Sequence, residues 1–96
     1  MSMLISKLEE VLSRSVEQTG IKKTRLLIEA GIDPAQMNQA MRGKRPFSES
    51  LLKALADSQN IDVSYGQLIA WGLVDEYGMD VVKEASRIVE GMEKED

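Results

Sequence analysis

Gln36, Asn38, Gln39 and Arg42 fall within seven residues of one another, and Lys44 and Arg45 follow directly. An amide side chain presents a donor beside an acceptor, and a guanidinium presents a planar fork of donors. Gln or Asn therefore matches the major-groove edge of adenine, and Arg that of guanine. Lysine and arginine just beyond such a set suit phosphate oxygens, which fix position without reading sequence. The chemistry these residues support is non-covalent recognition of a polyanion with hydrogen-bonding edges. Taken singly, each is also an ordinary solvated helix residue. The expectation rests on the cluster, which includes Lys22, Lys23 and Arg25 upstream.

Covalent chemistry has little to work with. The chain contains no cysteine and no histidine, so it has no disulfide, no thiol nucleophile, no thiolate or imidazole metal ligand, and no side-chain base that ordinarily titrates near neutrality. Asp75, Glu76 and Asp80 group several carboxylates, but their positions fit a helix end and the next helix cap, and no base or nucleophile accompanies them. The spaced oxygen ligands of an ion-binding loop are missing as well. The expectation is a protein that is not an enzyme and needs neither cofactor nor metal.

The elements that must position the polar cluster are all helices. Leu4, Ile5, Leu8, Val11, Leu12 and Val16 recur at intervals of three and four and predict a first helix from Ile5 to about Gln18, ended by Thr19-Gly20. A short second helix runs from Lys23 to about Ala30 with Leu26, Leu27 and Ile28 on its apolar side, and Gly31 permits the left-handed conformation of a tight turn. Asp33-Pro34 is a start signal, predicting a third helix from Pro34 to about Arg42 with Met37, Ala40 and Met41 inward. Ser48 caps a fourth helix whose stripe is Leu51, Leu52, Leu55 and Ala56. Val63-Ser64 opens a fifth that Gly78 closes, and Asp80 caps a sixth bearing Val81, Val82, Ala85, Ile88, Val89 and Met92. No alternating stretch is long enough to propose a strand.

Ninety-six residues, 43% of them apolar, fit one ordinary globular domain, assigned to 1–92 with a frayed tail at 93–96. No apolar run reaches the length of a signal or a membrane span, which predicts a cytoplasmic protein with no membrane association. The net charge of −4 is unevenly spread. Residues 1–46 hold eight cations against five acids, whereas residues 47–96 hold four against eleven. The basic first half can meet phosphate while the acidic second half is repelled by it.

Two short helices around a glycine turn, followed by a polar-faced second helix and a basic loop, resemble the Cro/phage-repressor family of helix-turn-helix proteins. The resemblance runs from about Leu8 to Leu68. It is carried by Leu26, by Ala30-Gly31-Ile32 at the turn, by Met37, and by Arg42-Gly43-Lys44-Arg45-Pro46 followed by Ser48 and Leu51 to Ala56. It implies an all-α, lambda-repressor-like domain of five to six short helices around a helix-turn-helix, binding double-stranded DNA as a homodimer. It further implies base-facing positions at Pro34, Ala35 and Gln39 with Asn38 nearby, and phosphate contacts at Lys23, Lys44 and Arg45; Gln36 and Arg42 join these sets by side-chain chemistry. Three residues depart from the family's pattern. Leu27 occupies a position that is usually small, and Pro34 and Ala35 replace long polar base readers.

The apolar density from Leu68 to Met92 exceeds what a small helical core requires and predicts a twofold dimer interface of Leu68, Trp71, Val74, Val82, Ile88, Val89 and Met92. Trp71 can mark such a partner surface, although a lone tryptophan in a small protein more often belongs to its core. The functional expectation is a sequence-specific transcriptional regulator, a repressor acting as a homodimer. The alternative is a module of the same fold that binds another protein instead, which the acidic total charge and the apolar Pro34 and Ala35 favour.

Overall fold

Four of the six helices begin where a short polar side chain can accept the unpaired N–H groups of a first turn, and the computed structural model, which describes residues 2–94, shows each of these caps made. Ser2 opens α1 (Met3–Thr19), Asp33 opens α3 (Pro34–Met41), Ser48 opens α4 (Glu49–Asp57) and Ser64 opens α5 (Tyr65–Tyr77). At α5 the arrangement is reciprocal: Ser64 Oγ accepts from Gln67 N–H while Gln67 Oε1 accepts from Ser64 N–H. The remaining helices are α2 (Lys23–Glu29) and α6 (Met79–Lys94). The described residues are all-α, with no strand among them, and no helix is long and apolar enough to cross a membrane.

One core joins the first five helices. Leu8, Leu12, Leu27, Met37, Leu55 and Leu68 are almost completely removed from solvent, and α1 packs along α5 with α2 and α4 closing the sides. Ser15 is the one buried polar side chain among the described residues, and its Oγ donates to Val11 O at 2.8 Å. Ile61 turns the α4–α5 connection inward and is buried. By contrast α6 contributes no buried residue and packs on α5. The radius of gyration, 14.9 Å, exceeds the roughly 13 Å of a compact domain of about 100 residues. The excess reflects that outlying helix.

Several expected boundaries shift. Met3 and Thr19 extend the first helix, and Arg42 caps α3 rather than belonging to it. Asp80 lies in the first turn of α6, whose helix begins at Met79, so it is not the cap. Glu93 and Lys94, assigned to the tail, lie within the last turn of α6, and residues 95–96 of the expected tail lie outside the described residues. Ile28 does not join the apolar side of α2: it is 60% exposed. A seven-residue helix makes barely two turns, and Leu26 and Leu27 fill the arc that faces the core.

Asp75 on α5 holds the start of α1. Its carboxylate accepts from Ser2 Oγ at 2.6 Å, from Leu4 N–H at 3.1 Å and from Met3 N–H. Burial raises its pKa, but the three hydrogen bonds outweigh that cost and hold the carboxyl below its ordinary value. The folded-state pKa is thus depressed. The associated stabilisation is complete above the unfolded value of about 3.9 and fades as pH falls through the lower folded value. Asp75→Ala is expected to cost about 0.5–2 kcal/mol at pH 7, the range of a lost helix cap. Urea midpoints should show that gap closing as pH falls below the unfolded value of about 3.9; an undiminished gap in acid would mean that the ionised carboxylate is not its source.

Candidate functional site

The polar cluster is built from α2, α3 and the two turns that end them. After α2, Gly31 adopts φ +77°. Gly31 N–H donates to Ile28 O at 3.0 Å and Ile32 N–H to Leu27 O at 2.8 Å. This is the paired hydrogen bonding of a Schellman turn, and the apolar contact that accompanies it is made by Ile32 and Leu27, both buried in the core. Leu27, a large residue at a position usually small in the family it resembles, is accommodated by that turn and is fully enclosed.

The same turn recurs after α3. Gly43 has φ +74°, Gly43 N–H donates to Ala40 O at 3.0 Å, and Lys44 N–H donates to Gln39 O at 2.9 Å. The outcome differs because the residues differ. Where Ile32 folds onto apolar Leu27, Lys44 stays in solvent beside polar Gln39. The main chain of Lys44 is thereby pinned to the last turn of α3.

Met37 and Ala40 turn α3 inward and are 0% and 1% exposed. At 100° per residue, the opposite arc carries Ala35, Asn38, Gln39 and Arg42, all exposed. Gln36 is exposed on the shoulder of that arc, and Pro34, the first helical residue, is half-buried at its edge. Asp33 Oδ1 accepts from Ala35 N–H at 3.0 Å, which fixes the helix start. Lys44 and Arg45 border the arc at the C-terminal end, and Lys23 is exposed at the first position of α2.

Charge at the cluster is mostly uncompensated. Arg25 pairs with Glu29 at 3.1 Å along α2. Among the described residues, Lys22, Lys23, Arg42, Lys44 and Arg45 make no ion pair. Glu29 and Asp33 are the only acids between residues 21 and 46. The arrangement offers amide and guanidinium groups on an open helix face, with cations at its end that are unpaired among the described residues.

The predicted interface residues fall on both sides of α5 and on α6. Leu68 is 0% exposed and lies in the core, so it forms no interface. Trp71 is half-buried and packs against the same core, and Val74 and Val82 are half-buried. Ile88, Val89 and Met92 are exposed. Leu73, Tyr77 and Val81, outside the expected set, are exposed as well. Their signal was present: Leu73 and Tyr77 are four apart on one helix, and Val81, Ala85 and Val89 four apart on the next.

No protein-family profile, curated protein or solved structure matches the chain. The likeness to the Cro/phage-repressor family rests on the residues quoted for it.

Apart from Gly31 and its two chain neighbours, no heavy atom lies within 4 Å of where a Cβ on Gly31 would sit, so the main cost of alanine there is backbone strain. Gly31→Ala should destabilise the protein by about 1–2 kcal/mol, with Gly31→Asn losing less because asparagine tolerates the left-handed region better. Thermal melts of the two variants check this, and equal losses would show that backbone strain does not set the cost.

Proposed function

We propose that this protein is a non-enzymatic, sequence-specific regulator of transcription that binds double-stranded DNA through a helix-turn-helix formed by α2 and α3, and acts as a homodimeric repressor. One observation carries the reading: the outward arc of α3 is uncovered, polar and bordered by unpaired cations, while the inward arc is buried. A helix about 10–12 Å across fits the B-DNA major groove, about 12 Å wide. In this reading Gln39 contacts base edges with Asn38 or Gln36 assisting, and Ala35 and Pro34 offer apolar contact to a thymine methyl. Lys23, Arg42, Lys44 and Arg45 hold phosphates. The hydrogen bond from Lys44 N–H to Gln39 O ties one phosphate contact to the base-reading turn. A twofold pair of chains places two copies of α3 in grooves about 34 Å apart, and occupancy alone then blocks a promoter.

A second reading is favoured by the net charge of −4 and by Ala35 on the outward arc, namely a module that binds another protein through the same face. Selection from a random duplex library separates the two, because only the DNA reading yields an enriched motif.

Lys44→Ala with Arg45→Ala is expected to weaken binding to all duplexes alike and to lower the salt slope by roughly two units, about one per lost phosphate contact. Gln39→Ala should instead relax preference at one base position by about 1–3 kcal/mol. Anisotropy titrations at several salt concentrations check both, and equal affinity of the double variant and wild type would sink the phosphate assignment.

A further inference from the structure

Of the large apolar side chains left exposed among the described residues, all but Ile28 lie between Leu73 and Met92 on α5 and α6. On α6, Val81, Ala85, Ile88 and Met92 are separated by four, three and four, which is the spacing of a helix–helix seam. Beside that seam a groove of about 550 Å³ runs between α5 and α6, walled by Leu73 and Tyr77 on one side and by Val82 and Val89 on the other, with Glu90 and Glu93 at its rim. The small Ala85 belongs to both seam and groove. Ile88 and Met92, 58% and 63% exposed, stand as a ridge next to it.

The size of this surface decides what it needs. Leu73, Tyr77, Val81, Ile88, Val89 and Met92 are each between 39% and 63% exposed, which at ~200 Å² for a large residue is roughly 600 Å², the upper end of the ~300–600 Å² of the largest patch on a typical monomer. It approaches the ~800 Å² that each partner buries in a standard interface. The charge of α6 narrows the choice of occupant. Lys83, Arg87 and Lys94 nearly balance Asp80, Glu84, Glu90 and Glu93, so a second α6 meets no strong repulsion, whereas a polyanionic surface meets a slight excess of acids. A ridge lying beside a groove with a small residue in it is also self-complementary, as a twofold contact requires.

We infer that α6 and the α5–α6 groove pair with the same surface of a second copy of this chain, the Ile88–Met92 ridge of each copy entering the groove of the other. This pairing gives the homodimer of the proposed function its surface and rests on that part of it. It leaves α3 free, since no exposed residue of α3 lines the groove. Leu68 takes no part, and Leu73, Tyr77 and Val81 do.

Sedimentation of the full chain without nucleic acid separates this inference from any failure to bind DNA. At about 50 µM the wild type should have the mass of two chains, and Ile88→Glu with Met92→Glu the mass of one, with helical circular dichroism retained. Single cysteines in the otherwise cysteine-free chain supply a test that does not depend on the folding of that double variant. Under copper-phenanthroline oxidation, at least one of Ala85→Cys, Ile88→Cys and Met92→Cys should form a covalent dimer about ten-fold faster than Lys83→Cys or Arg87→Cys on the opposite arc. A wild-type mass of one chain would overturn the inference. Equal cross-linking rates on the two arcs would assign dimerisation to another face. Binding of the monomer to phosphatidylcholine vesicles would assign the apolar face to a membrane.

Discussion

An eight-residue helix cannot hold its shape alone in water, where even favourable sequences need about 12–15 residues. α3 depends on Met37 and Ala40, two side chains one turn apart that are sealed into the core shared with α1, α4 and α5. Two anchors at that spacing fix both the position and the rotation of a helix. They therefore also decide which residues cannot be buried, and Ala35, Asn38, Gln39 and Arg42 are left outward. The polar face follows from that contact, as does the placement of Lys44, whose main chain hangs from Gln39.

The two turns flanking α3 show how one backbone geometry serves opposite ends. Both use a left-handed glycine and the same pair of hydrogen bonds. The first is followed by Ile32, which folds onto Leu27 and joins α2 to the core. The second is followed by Lys44, and the geometry that buries an isoleucine in one place presents a cation in the other. The difference lies in the helix residue each turn folds back upon, apolar Leu27 in one case and exposed Gln39 in the other.

The molecule keeps its two candidate surfaces apart. Cations without an ion pair among the described residues gather at the start of α2 and the end of α3, while the second half of the chain holds the excess of carboxylates and the uncovered apolar face. α5 connects them, packing against α1 and α4 on one side and carrying α6 on another. Its Asp75 also receives the first turn of α1, so the helix that supports the outlying surface also fixes the start of the helix that lines the core.

Local signals in the sequence determine much of this. Ser2 aside, the caps at Asp33, Ser48 and Ser64, the left-handed Gly31 and the inward set of α3 could all be read from neighbouring residues, because caps, turns and a 3.6-residue period are properties of short segments. Tertiary structure alone decided α5. Leu68, Ile69, Trp71, Leu73, Val74 and Tyr77 surround that helix with apolar groups, so periodicity does not say which side faces inward. Packing against α1 and α4 buried Leu68 and half-buried Trp71, and left Leu73 and Tyr77 on the far side beside α6. Where a helix is apolar all round, only the neighbours it meets can choose its buried face, and those neighbours lie dozens of residues away in the chain.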